Sequence, residues 1–110
     1  DQPWVDGLSD PANLSYNSGL NQDVISSTNI DNNFRDVEND QNPSSVVILS
    51  QTHTEIVNCE LDGHALDCTT QTNQYGISNV TLNYTDSEGL WITDSIDISI
   101  TPDTTAPQSM

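Results

Sequence analysis

Residues 76–84 carry the clearest strand pattern: Val80, Leu82 and Tyr84 interleave with Asn79, Thr81 and Asn83. This period of two gives a β-strand one apolar and one polar face. After the turn-forming Asp86-Ser87-Glu88-Gly89, the residues Ile92, Ile96, Ile98 and Ile100 share one parity over residues 90–101. The two segments are predicted to pair as a hairpin with a common core face. Asp94 falls on that inward parity. Its position predicts either a bulge or a specific partner for the carboxylate, because a buried charge without one is costly.

The rest of the chain extends the same pattern. Helix-favouring Leu, Ala, Glu and Lys are few, while Asn, Asp, Ser, Thr, Val and Ile dominate. Residues 45–51 hold the run Val46-Val47-Ile48-Leu49, expected of a central strand. Trp4 and Val5 are predicted to begin an edge strand that residues 14–16 resume, and Val24, Ile25, Ile30 and Phe34 mark weaker apolar anchors. Only 33% of the residues are hydrophobic, so the core must be thin and efficiently alternated. A two-layer sandwich of about seven short strands meets that demand, and 110 residues suit one domain.

Cys59 and Cys68 lie nine positions apart and flank Asp62-Gly63, a dipeptide that favours tight hairpin turns. Residues 55–59 and 65–69 are predicted to form that hairpin, with the two cysteines facing each other and able to form a disulfide. A cysteine pair without metal-type spacing in a short chain points to an oxidising compartment.

Charge sets limits on partners. Seventeen Asp and Glu stand against a single basic residue, Arg35, for a formal charge of −16. Nucleic acid is excluded, since phosphate recognition needs clustered Lys and Arg, and anionic membrane surfaces are disfavoured for the same reason. No stretch approaches the roughly 20 apolar residues of a membrane-crossing helix. Such a surplus implies neutralisation by divalent cations, salt or a basic partner.

Several motifs, in their order and spacing, resemble one family. Pro3-Trp4-Val5-Asp6-Gly7-Leu8-Ser9-Asp10 is similar to its first strand, and Phe34-Arg35-Asp36-Val37-Glu38-Asn39-Asp40 to its acidic motif. Gly76-Ile77-Ser78-Asn79-Val80-Thr81 with Asp86-Ser87-Glu88-Gly89 resembles its last hairpin, and Thr101-Pro102-Asp103-Thr104-Thr105-Ala106-Pro107 its linker. The chain thus resembles the tandem cadherin-like and immunoglobulin-like repeats of prokaryotic, possibly archaeal, cell-surface proteins. The resemblance implies an immunoglobulin-like, Greek-key β-sandwich over residues 1–102, with 103–110 leading toward a following repeat. It also implies adjacent repeats as partners. The Asp-x-Asn-Asp exit motif of true cadherins is missing, and only Asp103 holds its place.

Calcium takes six to eight hard oxygen ligands, and Asp31, Asp36, Glu38, Asp40, Asp86, Glu88 and Asp103 fall near predicted loops. In Asp36-Val37-Glu38-Asn39-Asp40 the carboxylates alternate, so an extended backbone puts all three on one side. The alternative is a solvated acidic loop. An EF-hand is excluded, because Gly at the sixth position and Glu at the twelfth are absent.

Three N-x-S/T sequons, at Asn13, Asn79 and Asn83, offer glycosylation sites, the last two with shared outward parity. His53 and His64 lack metal-ligand spacing and are expected to be surface or turn residues. No nucleophile elbow accompanies the Ser, His and Asp present, so no catalytic residues are expected. Trp4, Tyr75, Tyr84 and Trp91 offer rings for sugar stacking, with Trp91 and Tyr84 the leading pair. The expected function is therefore a non-catalytic extracellular spacer or adhesion module on the cell surface, with bound calcium as its only expected cofactor. A carbohydrate-binding module that contacts surface glycans, or a filament subunit assembled by strand donation, is the alternative.

Overall fold

The structure, a computed structural model, describes residues 3–35 and 43–102. The strands are β1 (Trp4–Val5), β2 (Leu20–Ile25), β3 (Phe34–Arg35), β4 (Ser45–Gln51), β5 (Val57–Asp62), β6 (Ala65–Thr70), β7 (Gly76–Thr85) and β8 (Trp91–Ile100). One helix, α1 (Ser27–Asn33), lies between β2 and β3. Two three-stranded antiparallel sheets, β2-β6-β5 and β4-β7-β8, face each other. In immunoglobulin terms these orders are B-E-D and C-F-G, a Greek-key order in the two-layer sandwich that the alternating pattern predicts. Among the described residues eight strands replace the expected seven, with β1 and β3 pairing as a separate two-residue ribbon.

The inward parity behaves as the pattern requires. Val80, Leu82 and Tyr84 of β7 and Ile96, Ile98 and Ile100 of β8 are buried, and they meet Ile25, Val57, Leu66 and Cys68 of the other sheet. Burial of such side chains contributes about 1.5–3 kcal/mol each relative to exposure, which is why strict alternation can specify so thin a core. At Gly76 the φ of +132 is one that only glycine adopts readily, and an added Cβ would stand 2.9 Å from Ile56 Cδ1.

Helix α1 was not legible in the composition. Its sequence Ser-Thr-Asn-Ile-Asp-Asn-Asn has poor helix propensity, but the Ser26 side chain caps it by accepting the Asn29 N–H at 3.2 Å. Buried Ile30 and Asn33 then pin the turns to the sandwich, so packing overrides local preference.

The first described residues follow β8 lengthwise. Leu8 N–H donates to Asp94, Asp97 N–H donates to Asp10, and Leu14 N–H donates to the Ser99 carbonyl. Leu14 forms a parallel bridge with Ile100, the place where the sequence predicts the first strand to resume. The β1–β3 ribbon sits at the other end of β8, where Phe34 stacks on Tyr84 at 6.1 Å. Strand β8 then ends at Ile100, on the far side of the sheet from that ribbon.

Candidate functional site

The cysteine hairpin forms around the predicted pair. Cys59 and Cys68 are directly opposite, with Cα atoms 4.0 Å apart, and are joined by a disulfide. The connecting turn falls one residue later than the Asp62-Gly63 expectation: Asp62 pairs with Ala65, leaving Gly63-His64 as the loop. Gly63 has φ +61, which glycine reaches without the steric penalty of a Cβ. His64 Nδ1 lies 2.7 Å from Asp31 Oδ1 and so ties this turn to α1, whereas His53 is exposed beside Glu55 at 3.2 Å. Glu55's own backbone N–H, then His53, holds its carboxyl below the usual range.

Asp94 has the partner its parity demands. Its Oδ2 accepts the Leu8 N–H at 2.8 Å and the Asn33 Nδ2–H at 3.0 Å. Asn33 Nδ2 also donates to the Tyr84 hydroxyl at 3.0 Å, while Asn33 Oδ1 accepts the Gly7 N–H at 2.7 Å. One buried amide thus joins α1, β7, β8 and the loop after β1. Burial pushes the Tyr84 hydroxyl pKa up to about 12, against the opposing effect of the Asn33 bond. A groove of about 480 Å³ opens beside this junction, lined in part by Gly7, Asp10, Asn29 and Arg35. Arg35 donates to Asp6 Oδ2 through Nε at 3.0 Å and Nη2 at 2.8 Å, and this bond raises the guanidinium pKa. Asn33 carries no sequence signal, since it is one of many Asn residues in the chain.

Of the calcium candidates, Asp36, Glu38, Asp40 and Asp103 lie outside the described residues. Asp86 is buried at 1% exposure, and its Oδ1 accepts the Glu88 and Leu90 N–H groups at 2.8 and 2.9 Å. This carboxylate builds the β7–β8 turn, and its Oδ2 has no hydrogen-bond partner. Glu88 is exposed, and Asp31 is engaged with His64. Among the described residues no three His, Cys, Asp or Glu side chains form a group able to hold a metal ion.

The sequons differ in access. Asn13 is exposed, while Asn79 and Asn83 are half-buried on the outer face of β7. Asn79 Nδ2 donates to Asp97 Oδ1 at 3.1 Å, and Asn83 Oδ1 is buried without a partner.

The sugar-stacking pair is corrected. Tyr84 is fully buried, with its ring on Phe34 and its hydroxyl on Asn33, so it presents no face to a ligand. Its parity matched Val80 and Leu82, and that parity is the core one. Trp91 is 56% exposed and pairs with Thr85 at the start of β8. The other exposed rings, Trp4 and Tyr75, lie on the β1 ribbon and in the β6–β7 loop.

Together these features define an all-β, immunoglobulin-like sandwich stapled by one hairpin disulfide. Comparison of the chain with protein-family models, curated proteins and solved structures finds no match in any of the three.

Proposed function

We propose that the chain is a non-catalytic structural module of an extracellular surface protein, a spacer or adhesion repeat with adjacent repeats as its partners. The observation that carries this reading is the placement of the first and last strands. The β1 ribbon sits at the Tyr84 end of the long sheet, and β8 leaves at the Gly76 end. Repeats joined through such ends extend along the strand direction, by about 3.3 Å for each residue of β8.

The disulfide fits an oxidising compartment. Among the described residues no helix is long and apolar enough to cross a membrane.

Small-angle scattering from a protein carrying two copies of the sequence in tandem tests the reading. A rod of about twice the single length is expected. A folded-back particle, with the two sandwiches side by side, would sink the spacer function.

A second reading, binding of a neutral glycan, draws on Trp91, whose ring stands at the sheet end where Asn83 and Thr93 share a row. Loss of retention on a polysaccharide gel in Trp91→Ala would support it. No retention of the parent chain would remove it.

A further inference from the structure

The two long sides of the sandwich are unlike. On one, residues 6–14 lie along β8: Asp10 and Leu14 take up its edge peptide groups, and the Leu8 N–H donates to the Asp94 side chain. On the other, the edge strands β4 and β5 of opposite sheets stand side by side. A groove of about 410 Å³ runs between them, with Val46, Val47 and Ile48 on one wall and Cys59, Glu60 and Leu61 on the other.

Gln51 occupies one end of this side. Its Nε2 donates to the Val57 carbonyl at 2.8 Å and its Oε1 accepts the Cys59 N–H at 3.2 Å. Those two peptide groups therefore point away from β6. Because edge groups repeat every second residue in an antiparallel strand, Leu61 turns its N–H and C=O the same way, past the reach of Gln51.

The adjoining face of β5 is acidic. Glu60 stands directly opposite Asp67 of β6, and Asp62 is the next outward residue. Like charges in direct opposition destabilise a sheet, and the chain's one Lys or Arg, Arg35, is engaged with Asp6. A second copy of the chain would bring the same carboxylates against this face, so repulsion disfavours it as an occupant. Charge complementarity calls for a basic one.

We propose that the β4–β5 groove receives an extended segment of another protein as an added strand along β5. Alternate apolar side chains of that segment enter the groove, and Lys or Arg residues between them meet Glu60, Asp62 and Asp67.

The test is fluorescence anisotropy at physiological salt with a labelled peptide alternating valine and lysine. Two controls accompany it: the same composition arranged in blocks, and a peptide with proline at alternate positions to remove N–H donors. The alternating peptide is expected to bind about tenfold more tightly than either control. Its binding should slow amide exchange at Leu61. Joint Glu60→Gln and Asp67→Asn replacement should weaken it about fivefold.

Val47→Lys places a charge on the groove wall at a residue already half exposed, and should abolish binding while leaving the unfolding midpoint in place. Equal binding of the blocked peptide would overturn the proposal, leaving only attraction to a chain of charge −16. Unchanged exchange at Leu61 would do the same.

Discussion

The side-chain amide of Gln51 lies along the edge of β5 opposite Cys59 and reproduces one residue of a neighbouring strand, accepting the Cys59 N–H and donating to the Val57 carbonyl. It also donates to Ser78 Oγ at 3.1 Å, which in turn donates to the Thr52 carbonyl. Gln51 can reach inward because Ile48 pairs with Leu82 while Ser50 pairs with Thr81, a bulge that reverses the parity of everything after Leu49.

Gln51→Leu keeps the volume and leaves two peptide groups of β5 without partners. A loss of about 1–3 kcal/mol is expected in urea unfolding, the range for unsatisfied buried groups. Gln51→Glu retains the acceptor for Cys59 and loses the donor to Val57. It should therefore also destabilise, and a neutral result for both variants would contradict the strand-mimic role.

Asp94→Ala removes the acceptor shared by Leu8 and Asn33. The expected loss is about 1.5–3 kcal/mol, since hydrogen bonds to a charged group are the stronger kind. Hydrogen exchange at Leu8 and Gly7 should accelerate more than exchange in β5, which marks the junction rather than the whole sandwich as the site of the damage.

Tyr84 predicts alkaline sensitivity. Its folded pKa of about 12 exceeds the ordinary value of 10.0, so the stabilisation it contributes is fully present below pH 10 and is lost as pH rises toward 12. The amount at stake is about 2–3 kcal/mol at most. Tyrosinate absorbance in the folded chain should show the Tyr84 hydroxyl staying protonated until the pH nears 12. In Tyr84→Phe, stability should fall less steeply over that window.

Reduction of the Cys59–Cys68 disulfide releases a loop closed over a separation of nine residues. The chain-entropy model assigns it about 2–3 kcal/mol. Unfolding midpoints in urea with and without reductant measure this directly.

Sodium chloride should raise the thermal midpoint between low and molar concentration, because screening relieves the self-repulsion of a chain with formal charge −16. Calcium at matched ionic strength adds to that rise only if a specific site exists, through mass action on the folded state. Scanning calorimetry with EDTA as reference separates the two.

Features that depend on neighbours in sequence were legible without a structure. The period-two pattern of β7 and β8 set the inward residues, the separation of Cys59 and Cys68 across a turn put them opposite, and the parity of Asp94 demanded a partner. Each follows from strand geometry, which is local. The sandwich class followed too, because alternating strands with one apolar face must be covered.

What the tertiary structure alone decided is where unlike segments meet. Ser26 and Ile30 form a helix against propensity because the core holds it. Asn33, indistinguishable from its neighbours in sequence, became the hub of four elements. Gln51 faces inward only because a one-residue bulge reverses β4, and Tyr84, read as a ligand platform, went to the core with its parity. Long-range packing and register shifts leave no mark in a window of a few residues, and for that physical reason these features could be seen only in the folded chain.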